Sequence, residues 1–230
     1  RPATAVRASA SATVPPSAPA GRPVPPPAAP PLLRVAVDCS FDNEPGKQQR
    51  SLAVQLSRCV GVLRAHGGGR VELRFCSWGG AARAEVERSY STRAWEAVLD
   101  ERTVEEALGG GPGKVVFLSP DGKEPLGDDL AAADTTYVLG GVVDTTPRRF
   151  VTRGKAERLG WEARRLPLAE EFPQGSCRVL SVNGALEALL RVHSGETWGE
   201  ALAEAVPNRF HRQTPKRRRQ RVSRYAPAPG

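Results

Sequence analysis

The sequence predicts an α/β domain built on a largely parallel sheet. Short apolar runs closed by glycine or an acid alternate with stretches whose apolar residues recur at helical spacing. No internal repeat interrupts that alternation, and at 230 residues the chain can bury one sizeable core.

The elements follow in order. Leu32–Asp38 (LLRVAVD) is an apolar run with a carboxylate at its end, and reads as a strand. Residues 41–46 form a loop. From Lys47 to Ala65, Leu52, Leu56, Cys59, Val60 and Leu63 mark one helical face, with Gln55, Arg58 and Arg64 off it and free to meet a ligand. His66 and three glycines stop this helix. Val71–Phe75 alternates as a second strand, and Ser77–Thr92, polar and broken by glycine, reads as a loop with a short helix. A short element lies around Trp95–Leu99, and a helix covers Val104–Leu108. Lys114–Leu118 is a buried strand opening into Ser119-Pro120-Asp121. Tyr137–Leu139 is the next strand, and Thr152–Leu159 a short basic helix ended by Gly160. Trp161–Leu166 is a strand leading into the stiff Leu166-Pro167-Leu168 turn. Residues 178–182 run straight into a helix from Asn183 to Val192, with Asn183 as its expected N-cap. Trp198–Ala205 is the last helix.

Charge divides the chain into three. Residues 1–31, rich in Pro and Ala, carry Arg1, Arg7 and Arg22 and no acid, while residues 209–230 carry eight basic residues and no acid. That leaves 22 of the 33 basic residues in the middle against all 25 acids, about −3 for the segment between the tails. We therefore expect a disordered arm over 1–31, a folded domain over 32–210 and a basic disordered tail over 211–230 that suits a polyanion. The first arm resembles an organellar transit peptide, chloroplast or mitochondrial, with nucleus or cytoplasm as the other possibility.

Several chemistries find no foothold. The cysteines at 39, 59, 76 and 177 form no CxxC pair, and the first three sit in apolar patterns as core thiols. His66, His193 and His211 are isolated, so no metal site is expected. No apolar run approaches the roughly 20 residues of a membrane helix, and a monomer is expected. Neither GxGxxG nor GxxxxGK[ST] is present, and Gly109–Gly113 precedes a strand instead of opening a helix.

What remains is a set of loaded strand ends. In Tyr137-Val-Leu-Gly-Gly-Val-Val-Asp144 a buried run meets two glycines and then a carboxylate, where open α/β sheets place their chemistry. An ordinary turn with a solvated Asp would read the same. Three more loaded stretches are Leu118–Asp121, Leu166–Leu168 and the helix start at Ser181–Ala185 with its free backbone N–H groups. All four lie in the carboxyl-terminal half, as though one ligand were held there by backbone.

Here the sequence resembles the tRNA position-9 N1-purine methyltransferases of the SPOUT superfamily. The matching residues are Asp38-Cys-Ser-Phe-Asp42, Ser51–Cys59, Tyr137–Asp144, Lys155-Ala156, Arg165-Leu-Pro-Leu168, Val179–Asn183 and Trp198–Leu202 followed by Val206-Pro207. The resemblance covers about 33–210. It implies a trefoil-knotted domain, one of the rare knotted folds, and an S-adenosyl-L-methionine cofactor held by Leu118, Ser119, Pro120, Leu139, Gly140, Gly141, Val142, Leu166, Leu168, Val179, Leu180, Val182, Asn183 and Ala185. It also implies tRNA as partner and Asp144 as general base for methylation of guanine N1. Methylation of adenine N1 at the same position, or a non-catalytic tRNA-binding subunit of an organellar processing complex, are the alternatives. RNA contacts are expected from Gln55, Arg58, Arg64, Arg148, Arg149 and Lys155, and from Lys216, Arg217, Arg218 and Arg219 in the tail.

Overall fold

The computed structural model describes residues 32–41, 43, 45–66, 70–111, 113–130, 134–143, 148–175 and 177–206. Among these, seven strands form one sheet in which every pair is parallel. The strands are β1 (Leu33–Asp38), β2 (Val71–Cys76), β3 (Val98–Leu99), β4 (Lys114–Leu118), β5 (Glu124–Pro125), β6 (Thr135–Gly140) and β7 (Glu162–Arg165), in spatial order β3-β2-β1-β6-β4-β7-β5. The helices are α1 (Lys47–His66), α2 (Gly80–Ser89), α3 (Val104–Leu108), α4 (Val151–Arg158), α5 (Leu168–Glu171), α6 (Val182–His193) and α7 (Trp198–Ala205).

Side-chain alternation sorts the strands onto two faces. Leu33, Val35 and Val37 of β1, with Leu73, Phe75, Val116, Leu118, Tyr137 and Leu139, pack under α1, α6 and α7 in the larger core. On the opposite face Ala36, Cys76, Phe117 and Val138 meet Val104 of α3 and Ala156 of α4 in a thinner layer. Asp38 shares that thin face by register and is fully buried. All four cysteines are free and buried, and burial pushes the Cys76 thiol up to about 12.

The chain runs outward from β1 through β2 to β3, crosses to β4, and returns to set β6 between β1 and β4. Parallel pairing therefore brings the carboxyl ends of β1, β6, β4 and β7 to one edge: Asp38 faces Gly140, Leu118 faces Leu139, and Leu118 also faces Arg164.

The polar stretch after β2 is more ordered than its composition suggests. α2 runs ten residues because Ala82 and Val86 reach the core beside α1. Two short elements, β5 and α5, have no counterpart in the sequence reading, each being too brief to carry a period. The start of α6 is corrected as well. Ser181, not Asn183, is the cap, with its hydroxyl accepting from the Gly184 N–H at 3.3 Å, so the helix begins at Val182. The arms expected at 1–31 and 211–230 lie outside the described residues.

Candidate functional site: the carboxyl edge of the sheet

The turn after β6 is held from three directions. The Gly141 N–H donates to the Asp38 carbonyl at 2.8 Å. Asn43 then clamps the next residues: its side-chain amide donates to the Gly141 carbonyl at 2.8 Å, and its Oδ1 accepts the Val143 N–H at 2.8 Å. A Cβ on Gly141 would stand 2.7 Å from the Asp38 carbonyl oxygen, so this approach of two backbones requires glycine. In the sequence Asn43 is one polar residue in a loop, and nothing local signals a partner 98 residues away.

Neighbouring loops join this turn. The Thr152 hydroxyl donates to the Ser119 hydroxyl at 2.8 Å, tying α4 to the end of β4. The Ser119 N–H donates to the Arg164 carbonyl at 2.8 Å, linking the loop at 119–121 to β7. Gln55 reaches from α1 to accept the Val182 N–H at 2.9 Å, which anchors the first turn of α6. The strand ends at 118–121, 140–142 and 166–168 thus share one edge. Residues 179–185 pack on the same core through Leu180, Val182 and Ala185, beside half-buried Leu166 and Val143. Pro120 and Val179 are exposed; Leu118, Ser119, Leu139, Gly141 and Leu168 are buried beneath them.

Beside this edge, buried charge is concentrated around one ammonium. Lys155 Nζ lies 2.7 Å from Asp38 Oδ2, 3.0 Å from Ser40 Oγ and 3.1 Å from Glu105 Oε1, so its three protons have three acceptors. The ammonium also stands 5.5 Å from the centre of the Phe41 ring. Burial pushes the Glu105 carboxyl up, but hydrogen bonds, among them that from Lys155, leave it below the usual range. The cluster staples α3 and α4 to β1 across the thin face.

Two residues expected on an RNA face have partners within the protein. Lys155 is only 7% exposed and spends its charge inside the protein. Gln55 is half-buried and occupied with Val182. Arg64 is exposed, with its guanidinium on the Ala94 carbonyl and 3.8 Å from Glu96. Arg58, Arg148 and Arg149 are exposed. Asp144 and the tail residues Lys216, Arg217, Arg218 and Arg219 lie outside the described residues. No cluster of metal-binding side chains occurs among the described residues, and no helix there is long and apolar enough to cross a membrane.

Comparison with known proteins places this edge in context. A family model described as tRNA (guanine(9)-N(1))-methyltransferase TRM10/TRM10A matches residues 24–211. The chain is 30% identical over 181 residues to the tRNA methyltransferase 10 homolog A of Mus musculus, covering 77% of this chain and 53% of that protein. It is 29% identical over 183 residues to the tRNA (guanine(9)-N1)-methyltransferase of Eremothecium gossypii, covering 77% and 59%. The chain thus spans somewhat more than half the length of these curated relatives. Among solved structures, full-length spTrm10 in complex with SAH superposes with a TM-score of 0.68 at 25% identity, covering 78% of this chain and 98% of that one. A dual-specific Trm10 from Thermococcus kodakaraensis shares the fold, with a TM-score of 0.61 at 21% identity over 76% of this chain and 99% of that one. Matched by that family model over most of its length, the chain belongs to the TRM10 tRNA (guanine(9)-N(1))-methyltransferase family.

Proposed function

We propose that this chain is an S-adenosyl-L-methionine-dependent tRNA methyltransferase acting on N1 of guanine at position 9. The observation that carries the reading is the family match over 24–211, which spans every strand end gathered at the carboxyl edge. The residues there suit the cofactor. Asn183 Oδ1 is a buried acceptor with no hydrogen-bond partner among the described residues, an acceptor open to an amino group. Half-buried Val142, Leu166 and Leu180 offer apolar contact at the same edge. The same reading gives the domain the trefoil knot of these enzymes.

When bound, the cofactor supplies an electrophilic methyl group. The chain's own residues then have two tasks. The first is positioning: Asn43 and Asp38 fix the 141–143 turn at the carboxyl edge through three hydrogen bonds. The second is proton removal, because guanine N1 carries a proton that must leave as the methyl arrives. Asp144 follows Val143 in sequence, and its carboxylate serves as the general base without a metal. The turn is where the sheet order reverses around β1 and β6, the crevice in which open α/β sheets bind ligands. Calorimetric titration with S-adenosylhomocysteine and transfer of labelled methyl to unmodified tRNA test the reading. Binding with guanine-9-dependent transfer is expected; no cofactor binding, or transfer indifferent to a guanine-to-cytosine change at position 9, would overturn it.

A further inference from the structure

One side chain at this edge stands apart from the packing of the fold. Phe150 is 50% exposed and joins neither hydrophobic core cluster. Its backbone is left-handed, with φ of 63°, which costs a non-glycine residue about 1–2 kcal/mol. That backbone is nonetheless fixed: the Phe150 N–H donates to Asp121 Oδ2 at 2.7 Å, and its carbonyl accepts the Gly154 N–H at 2.7 Å. The ring is therefore displayed on a held turn, not left on a loose one.

Its surroundings are cationic. The Arg149 and Arg153 guanidinium carbons lie 5.2 and 5.8 Å from the ring centre. Phe150 also walls an open hollow of about 440 Å³ that Phe41, Arg148, Arg149 and Arg158 help to line. Asp121 restrains this cluster without neutralising it, since Arg149 stays 3.8 Å from it and its side chain is 77% exposed. Two residues on from Phe150, Thr152 touches the end of β4 through Ser119 and crowds Gly140 at the end of β6. The ring thus borders the carboxyl edge.

We propose that Phe150 is a stacking platform for a nucleobase of the RNA substrate, with exposed Arg149 contacting a flanking phosphate and Arg153, paired with Glu157 at 2.8 Å, bracing the ring. The inference rests on the tRNA methyltransferase reading and gives it a specific base-binding residue. A planar apolar ring between guanidinium groups matches a nucleotide, which offers a π face and an anion a few ångströms apart. An acidic peptide would use the arginines and leave the ring idle. A lipid surface would want several exposed apolar groups, whereas among the described residues Phe150 is the one large exposed hydrophobe lining this hollow.

The test uses the full chain with Phe150→Gly and Phe150→Trp, and reads tRNA affinity by fluorescence anisotropy alongside melting temperature and S-adenosylhomocysteine affinity. Glycine accepts the positive φ without strain, so Phe150→Gly removes the ring without burdening the fold. Its melting temperature should equal or exceed that of the parent, cofactor affinity should stay the same, and tRNA binding should weaken about 5- to 150-fold, the range for one stacked base. Phe150→Trp should bind within twofold of the parent. Because no charge is removed, the salt dependence of binding should keep its slope in both variants, whereas Arg149→Ala should lower it by about 0.7–0.9. Equal tRNA affinity for the parent and Phe150→Gly overturns the platform, as does a parent protein that binds no RNA. A parent that binds tRNA through Phe150 yet transfers no methyl group upholds the platform and sinks the methyltransferase reading instead.

Discussion

Replacing Lys155 with methionine removes the ammonium and keeps most of the side chain's volume. Among the described residues, fully buried Asp38 then retains only the Ser40 N–H at 3.1 Å on its carboxylate, and Glu105 loses its contact at 3.1 Å. Breaking a buried pair by deleting one partner costs about 3–5 kcal/mol, because the stranded charge has given up water and gained nothing. For a folded region of this size each kcal/mol shifts the melting temperature by about 2–4 °C. Lys155→Met should therefore melt about 6–20 °C below the parent in a fluorimetric scan near neutral pH. Adding Asp38→Asn should recover at least half of the loss, since two well-sized neutral groups can replace a buried pair at little net cost. A Lys155→Met protein melting within 1–2 °C of the parent would refute the staple. So would a double variant that is no better than the single one, because it would show that Asp38 never depended on the lysine.

Three further expectations follow from the same structure. Asn43→Ala strands the Gly141 carbonyl and the Val143 N–H, so stability should fall by about 1–3 kcal/mol in denaturant titrations, with methyl transfer falling further than cofactor affinity. Asp144→Asn should slow guanine methylation about 10²-fold or more while leaving S-adenosylhomocysteine affinity unchanged, with partial recovery at higher pH; unchanged turnover would remove the general-base role. Arg102 first, then Arg74, holds the buried Asp100 carboxyl well below the usual range against the opposing effect of burial. A lowered value in the folded state adds stability that is complete above the ordinary carboxylate value and lost as pH falls below it. Asp100→Asn should thus be less stable near neutral pH, and the gap should narrow progressively as pH falls below about 4 in acid melts.

How much of this is legible in the sequence depends on range. Strands and helices with a clear period stand where their apolar residues put them: Leu33–Asp38, Lys114–Leu118 and Trp198–Ala205 need nothing beyond local pattern. The glycine turn at 140–141 is readable because two glycines after a buried run announce close backbone approach. Residues whose work depends on distant partners are not. Lys155 looks like a surface cation on a basic helix, yet its partner Asp38 lies 117 residues away. A usable signal does exist, since an acid ending a buried parallel strand demands a cation and Lys155 precedes Ala156, which faces the core. Gln55 likewise reads as solvent-facing, because the strand-to-helix segment it holds arrives 127 residues later. Ser181 outcompetes Asn183 as cap because Val182 is already needed in the core as the first helical residue. Phe150 carries no sequence signal at all: an aromatic beside arginines is common, and only its exposure on a fixed left-handed turn sets it apart.

The most direct measurement is nucleoside mass spectrometry, with position mapping, of an unmodified tRNA bearing guanine at position 9 after incubation with the protein and S-adenosyl-L-methionine. 1-Methylguanosine at position 9 is expected, dependent on the cofactor and strongly reduced by Asp144→Asn. A tRNA that is bound but returns unmethylated, or carries its methyl group at another position, would contradict it.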